Sequence, residues 1–280
     1  MTLHWSDLAG DDTPFRTLRS AREIKRMRRA GIAVWNAHQI ATKLVRPGVA
    51  TGEIDASVED YFTQIGAIPL FKGFPGKVPF PAVTCISINE EVVHGIPGKR
   101  VLQEGDIVSI DTGCNLDGWC GDAAVTHAVG EISSECQRLL EVTQATLNLA
   151  MELMGKKSVW SEVAKEMATF VRDARFSVVE EFVGHAIGKE MHERPQVLNY
   201  FDPEKFKEGG EFDLRPGVVI AVEPMVNMGV KDVKCLSDHW TQVTADGQPS
   251  AHFEHTIAIT DDGPTPLTGP PLEDEDTLVC

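Results

Sequence analysis

A β-rich segment spanning residues 105–130 is the feature that most constrains how this 280-residue chain can fold. Asp117-Gly118 lies near its centre, and an Asp-Gly pair between two such runs predicts a tight hairpin turn. In a hairpin with that turn, residues whose numbers sum to about 233 to 235 lie near each other on adjacent strands. Asp111 and Asp122, whose numbers sum to 233, are therefore expected to face each other.

Two facing aspartates destabilise a strand pair by like-charge repulsion unless a cation binds both. Each aspartate alone is typical of a turn or a solvent-facing position, but the pair favours a metal site. Glu223, within VVIAVEPMV, and Glu254, ahead of an apolar strand, are expected to be buried. A buried unpaired carboxylate costs several kcal/mol or becomes protonated, and no pattern of Lys or Arg supplies a counter-charge.

His185 lies between glycines in the apolar run FVGHAIG, where the backbone can approach another group closely. Alone, such a histidine is more often a core residue. Taken together with the four acids, it completes a set of four carboxylates and one imidazole that can converge only around cations. This composition predicts two divalent metal ions and hydrolytic chemistry.

Overall charge and composition exclude several classes of function. Twenty-six basic against 42 acidic residues give a net charge of -16, which argues against nucleic-acid binding. The basic cluster between Arg19 and Arg29 is interpreted as a solvated helix face. No apolar run approaches the ~18 residues of a membrane-spanning helix, and the amino terminus lacks a secretory pattern, so a soluble cytoplasmic protein is expected. The six cysteines fit neither a zinc finger nor a disulfide framework, and free buried thiols are expected.

Periodicity and capping residues predict the first elements. A helix is expected from Ser20 to about Val45, and a second from Thr51, as its N-cap, to Gly66. Residues 68–82 are dense in Pro, Gly and Phe and predict an ordered loop with aromatic side chains.

The order helix, helix, strands, hairpin then occurs twice, in residues 20–129 and again in residues 135–260. The second half is expected to contain its own hairpin at Asp246-Gly247. This repetition predicts two half-domains that pack their sheets around a shared centre, with the helices outside. The chain is interpreted as a single catalytic domain with a core from about residue 15 to about residue 262, a short N-terminal extension and a frayed, acidic, Pro-rich C-terminal tail.

Five segments in fixed order resemble methionine aminopeptidases of the bacterial type (type I). They are CISINEEVVHGIP (85–97), GDIVSIDTGCNLDGWCGDAAVTHAVG (105–130), GHAIGKEMHERPQVLNY (184–200), AVEPMVNMG (221–229) and SAHFEHTIAIT (250–260). The resemblance implies the α+β pita-bread fold, in which pseudo-two-fold halves place a curved antiparallel sheet inside and helices outside. It also implies removal of the initiator methionine from nascent polypeptides, with preference for a small second residue.

The same resemblance implies roles for the site residues. It makes Asp111 a two-oxygen ligand of one metal ion, Asp122 and Glu254 bridging ligands, and His185 with Glu223 the completion of the other. Glu223 would also carry the proton, as general base and then acid. It places His192 at the scissile carbonyl oxygen and His94 near the scissile nitrogen or the substrate amine.

A methionine side chain requires a flexible apolar slot. The resemblance assigns this slot to Phe71, Phe74, Cys85, Met191 and Trp240. Phe71 and Phe74 stand where many relatives have tyrosine, Met191 stands where phenylalanine is common, and the loop at 75–84 looks about six residues longer than usual. These departures leave the pocket rim and the range of substrates open.

The ligand types suit Mn, Fe or Co at least as well as Zn. The backbone carbonyls of Asn89, Glu91 and Ser250 match positions where relatives hold a monovalent cation, Na or K. The expected partners are nascent polypeptide N-termini, with ribosome contact left open and neither nucleic acid nor membrane involved. A monomer is the default of the family.

Two other functions are compatible with this fold. One is an X-Pro-type aminopeptidase or dipeptidase, which shares the five ligands but usually carries an additional amino-terminal domain that ~20 residues before the first helix cannot supply. The other is a catalytically inactive binding homologue, for which loss of ligands would be the sign, and all five ligands are present.

Overall fold

The computed structural model describes residues 18–273 and 275–278. Its helices are α1 (Ala21–Leu44), α2 (Thr51–Ile65), α3 (Ser134–Met154), α4 (Trp160–Asp173) and the short α5 (Pro203–Lys205). Its strands are β1 (Ile68–Pro69), β2 (Thr84–Ile88), β3 (Glu91–Val93), β4 (Ile107–Leu116), β5 (Trp119–Ala128), β6 (Ser177–Val178), β7 (Gly184–Ala186), β8 (Glu193–Val197), β9 (Val219–Val222), β10 (Met225–Asn227), β11 (Val233–Cys235), β12 (Gln242–Thr244), β13 (Ser250–His252), β14 (Glu254–Thr260) and β15 (Gly263–Pro266).

The ends of the first two helices follow from their capping residues. Ser20 caps α1 and forms a reciprocal capping box with Glu23. Gly66 ends α2 in a left-handed conformation with φ 68°, as glycine allows. The predicted N-cap at Thr51 is wrong, because Ala50 holds that position and Thr51 is already the first residue of the helix.

Within the described residues, nine strands form one sheet whose main path runs β1-β4-β5-β14-β9-β7-β8, with β2 on β4 and β15 on β14. One apolar core lies between this sheet and the pair α1 and α2, and a second lies beneath α3 and α4. This arrangement, with the antiparallel sheet inside and helices outside each half, confirms the predicted fold class.

The predicted hairpin forms between β4 and β5 and turns at Asp117-Gly118, where both residues have positive φ (54° and 81°). Its register pairs Asp111 with Ala124 and Asp122 with Gly113, so paired numbers sum to 235. The two aspartates are therefore diagonal neighbours on one face. The prediction that they face each other directly is wrong, because each lies two residues along the strand from the other's partner.

The predicted second hairpin at Asp246-Gly247 does not form. β12 pairs with β11 and β3, and β13 pairs with β10. The Thr244 side chain donates to the carbonyl of Gln248, and Pro249 has no N–H group to continue a ladder. The apolar run VVIAVEPMV (218–226) is likewise divided into β9 and β10, with Glu223 and Pro224 between the two strands.

The basic cluster between Arg19 and Arg29 is solvated only in part. Arg22, Lys25, Arg26 and Arg29 are exposed, whereas Arg19 and Arg28 have partners in the fold. The Arg28 guanidinium donates to the carbonyls of Leu267 (2.6 Å) and Gly269 (3.0 Å) and pairs with Glu275 (2.8 Å). Arg19, only 8% exposed, forms an ion pair with Glu193. Arg28 on α1 therefore holds Leu267, Gly269 and Glu275 of the C-terminal segment close to the helix.

The cysteines are only partly as predicted. Cys85, Cys114 and Cys120 are buried free thiols, whereas Cys136 is half-buried and Cys235 is exposed. Cys280 lies outside the described residues. Among the helices of the described chain, none combines the length and the apolar character needed to cross a membrane.

Candidate metal centre and active site

Sheet register brings the predicted ligands onto one face. Asp111, Ala124 and Glu254 stand in a row across β4, β5 and β14. Glu223 directly follows β9, and the register of β9 with β14 puts it in line with Glu254. Because residues two apart share a face, Asp122 joins this group from β5.

His185 reaches the same face from β7. It pairs with Ala221, two residues before Glu223, and its Nε2 lies 3.6 Å from Oε1 of Glu223. Ligand atoms of Asp122, His185 and Glu254 all lie within 4.8 Å of one another, and these three residues are buried. The five predicted ligands all line one cavity of about 890 Å³.

The carboxylates of this cluster are electrostatically unfavourable without cations. Burial, followed by the neighbouring carboxylates, raises the pKa of Asp111, Glu223 and Glu254 well above the usual range, and burial raises the pKa of Asp122 to about 7. One oxygen each of Asp111, Asp122 and Glu254 is buried with no hydrogen-bond partner among the described residues. Such atoms require a partner, and divalent cations fit this oxygen-rich set.

His185 is suited to bind such a cation. Burial lowers its pKa to about 4, so the ring is neutral at neutral pH and can offer a lone pair. Its Nδ1 lies 3.1 Å from the carbonyl oxygen of Ala186, an arrangement that orients metal-binding histidines in proteins generally.

Two further predicted histidines line the same cavity. The ring of His192 lies edge-on to that of His185, with centroids 4.5 Å apart. Burial lowers the pKa of His94 to about 4 and that of His192 well below its usual value. Both rings are therefore neutral at neutral pH, where each can donate an N–H hydrogen bond without carrying a charge.

The predicted slot residues form one apolar cluster beside the ligands. Its members are Phe71, Phe74, Cys85, Met191 and Trp240, together with Phe80, Ala82, Leu70 and Ile96. Cys85 stands directly opposite Asp111 in the ladder of β2 and β4, so the slot adjoins the metal centre. Phe80, 3% exposed and with its ring 5.2 Å from that of Trp240, was not singled out from the sequence.

The loop at 73–80 forms a wall of this slot. Its backbone closes on itself through hydrogen bonds from Gly73 to Phe80 (2.8 Å) and from Phe80 to Phe74 (3.0 Å). The indole N–H of Trp240 donates to the carbonyl of Val78 at 2.8 Å. This loop thus holds the Trp240 ring in place.

Sequence reasoning also missed His252. This residue lines the cavity, is 2% exposed, and has its Nε2 at 4.0 Å from Oε2 of Glu223. A sequence signal was available, because His252 and Glu254 are two apart in an extended segment and therefore point to the same face.

The three residues predicted to offer carbonyls to a monovalent cation lie near one another. The N–H of Ser250 donates to the carbonyl of Asn89 at 2.9 Å, and Glu91 begins β3 two residues after Asn89. Asn227 stands directly opposite Ser250, and its buried side-chain oxygen has no hydrogen-bond partner in the described part of the chain.

Comparison with known proteins places this geometry in context. The family model described as Metallopeptidase family M24 matches residues 25–261. Methionine aminopeptidase 1 of Bacillus subtilis is 46% identical over 245 residues, covering 88% of this chain and 96% of that protein. The crystal structure of a methionine aminopeptidase from Thermotoga maritima superimposes with a TM-score of 0.84 at 40% identity, covering 90% of this chain and 98% of that one.

More distant structures share the fold alone. An Xaa-Pro dipeptidase from Bacillus anthracis superimposes with a TM-score of 0.69 at 22% identity. The match covers 92% of this chain but only 63% of the dipeptidase.

Proposed function

Because this chain belongs to metallopeptidase family M24, we propose that it is a metal-dependent aminopeptidase that removes the N-terminal methionine from nascent polypeptides. The observation that carries the proposal is the ladder position of Cys85, which puts an apolar slot directly beside Asp111 and the ligand cluster. A single catalytic domain then binds the methionine side chain and the reacting peptide bond in one cavity. The X-Pro alternative has no comparable support, since its relatives share the fold at low identity.

We assign the metal to the five clustered residues, with two divalent ions, Mn, Fe, Co or Zn, as the composition of the site favours. Divalent ions bound there polarise a carbonyl and lower the pKa of a water molecule toward neutrality. The proposed ligands are Asp111, Asp122, His185, Glu223 and Glu254.

Proton transfer falls to Glu223. Glu223 lines the cavity beside His185, where its carboxylate can accept a proton from the attacking water and return it to the departing amine. Neutral His192 donates a hydrogen bond to the carbonyl oxygen as it gains negative charge, and neutral His94 contacts the scissile nitrogen or the substrate amine. Because both imidazoles are buried and neutral, neither competes with Glu223 for the proton.

Wild-type protein loaded with Mn²⁺ is expected to cleave Met-Ala-Ser with a kcat/KM about 10- to 100-fold above that for Leu-Ala-Ser. The unbranched thioether side chain of methionine fits the slot, whereas the branched side chain of leucine clashes with the walls of the slot. Ala-Pro peptides are expected to react no faster than Leu-Ala-Ser. Peptide hydrolysis with a chelated sample as control measures this, and equal cleavage of all three peptides would refute the proposed specificity.

Gly76→Ala is expected to raise the KM for Met-Ala-Ser about tenfold while kcat stays within about twofold. A Cβ at Gly76 would lie 2.5 Å from the indole ring of Trp240, so the ring must move and the slot loses its shape. A change that weakens the binding of the substrate and of the transition state equally raises KM and leaves kcat unchanged. Steady-state kinetics with Met-Ala-Ser measures both constants.

The matched control is Gly98→Ala, since a Cβ there meets no atom within 4 Å and Gly98 does not line the cavity. Identical KM values for the two variants would show that the wall formed by the loop does not shape the slot.

We also propose a monovalent cation site, a cellular location and an oligomeric state. Carbonyls of Asn89, Glu91 and Ser250 would hold Na or K, and the unpartnered side-chain oxygen of Asn227 beside Ser250 is consistent with a cation there. We further propose a cytoplasmic monomer that meets its substrates as they leave the ribosome. The net charge of -16 gives no support to direct nucleic-acid binding.

A further inference from the structure

His252 is a buried histidine of the cavity that the proposed mechanism does not use. Its backbone is fixed on both sides by Thr126, whose hydroxyl accepts from the His252 N–H (2.8 Å) and donates to the His252 carbonyl (2.7 Å). Strand pairing places it opposite Met225, and the ring points into the cavity. The backbone of His252 is therefore held in place, with its ring on the cavity side.

The ring nitrogen Nε2 is buried and has no hydrogen-bond partner among the residues that the structure describes. The nearest acidic group is Glu223, whose Oε2 lies 4.0 Å away, while its Oε1 lies 3.6 Å from Nε2 of His185. Glu223 thus stands between two imidazoles, one for each carboxylate oxygen. Buried polar atoms without partners are rare and call for an explanation.

We propose that His252 is a positioning residue for Glu223. Its Nε2–H holds Oε2 of Glu223, which keeps Oε1 turned toward His185 and the metal site. A hydrogen bond needs a donor–acceptor distance of about 3 Å, so the carboxylate must approach by about 1 Å, which a small side-chain rotation provides. Partners of this kind orient metal ligands in proteins generally. The proposal rests on the proposed function only in taking Glu223 as a ligand.

Calorimetric titration of the chelated full-length protein with Mn²⁺ tests the role. His252→Leu removes the donor and is expected to weaken Mn²⁺ binding about 10- to 100-fold. His252→Gln, whose side-chain amide carries an N–H at a similar reach, is expected to stay within about threefold of wild type. At saturating Mn²⁺, His252→Leu should also lower kcat about tenfold or more, with KM for Met-Ala-Ser nearly unchanged.

Two results would overturn the proposal. Wild-type Mn²⁺ affinity in His252→Leu would show that the residue does not hold Glu223. Equal losses in His252→Leu and His252→Gln would show that the ring nitrogen binds the metal itself. Should leucine prevent folding, as thermal unfolding of the chelated sample would reveal, His252→Met offers an unbranched apolar side chain for the same comparison. Because the Mn²⁺ titration uses no peptide, its result can be interpreted even if the protein does not cleave Met-Ala-Ser.

Discussion

Asp111→Asn is expected to lower kcat/KM for Met-Ala-Ser by at least about 10³-fold, equivalent to about 4 kcal/mol of transition-state stabilisation. Asp111 contributes a buried oxygen with no hydrogen-bond partner in the described chain, and its charge helps to balance the cations. An amide offers only one neutral acceptor oxygen, so at least one ion is lost. Peptide hydrolysis and a Mn²⁺ titration measure the two effects.

The hairpin itself supplies the control. Asp117→Asn makes the same chemical change at the exposed turn, where asparagine tolerates the positive φ of 54°. This variant is expected to keep wild-type activity. Full activity of Asp111→Asn would exclude Asp111 as a ligand, and loss of activity in Asp117→Asn would indicate that hairpin folding, not metal binding, is being measured.

Mn²⁺ at about 1,000 times its dissociation constant is expected to raise the free energy of unfolding of the chelated protein by about 4 kcal/mol at pH 7.5. Four carboxylates with raised pKa crowd the metal-free site, and cations relieve their repulsion. Thermal unfolding with Mn²⁺ or with chelator gives the difference in midpoint. Equal midpoints would show that no stabilising site exists.

The same stabilisation is expected to shrink as the pH falls. A carboxyl group whose pKa in the metal-free folded protein is raised keeps its proton below that pKa, and the cation must displace it. For Asp122, with a pKa of about 7, this competition grows as the pH falls through 7. Apparent Mn²⁺ affinity should therefore drop at least about tenfold between pH 7.5 and pH 6. An affinity that does not change with pH would contradict the raised pKa values.

The ligand cluster was largely predictable because each ligand breaks a local rule. Glu223 and Glu254 interrupt apolar runs, and Asp111 and Asp122 flank a turn whose sequence dictates its type. The predicted range of 233 to 235 left the pairing open, although a two-residue turn with Asp117-Gly118 at its centre already requires a sum of 235. The register found still leaves both aspartates on one face.

Other features could not be predicted from the sequence because they depend on residues far away in the chain. The spacing of His252 to Glu254 gave its face, but its approach to Glu223 is set only when β13 pairs with β10. Arg28 lies in a run of basic residues that local periodicity interprets as solvated, and only the folded tail shows its carbonyl partners. The failed hairpin at Asp246-Gly247 shows the reverse case: a turn does form, with the Gly247 N–H bonded to the Thr244 carbonyl (3.3 Å), but the strands on either side of it pair elsewhere.

The two-residue turn between β4 and β5 has an evolutionary consequence. Side chains alternate between faces, so a single inserted residue on either arm would move that arm's aspartate to the side covered by α1. Two inserted residues would restore the face but shift the carboxylate about 7 Å along the strand. Single-residue insertions or deletions on either arm between Asp111 and Asp122 would therefore break up the ligand cluster, whereas the loop that carries Gly76 lies outside this ladder.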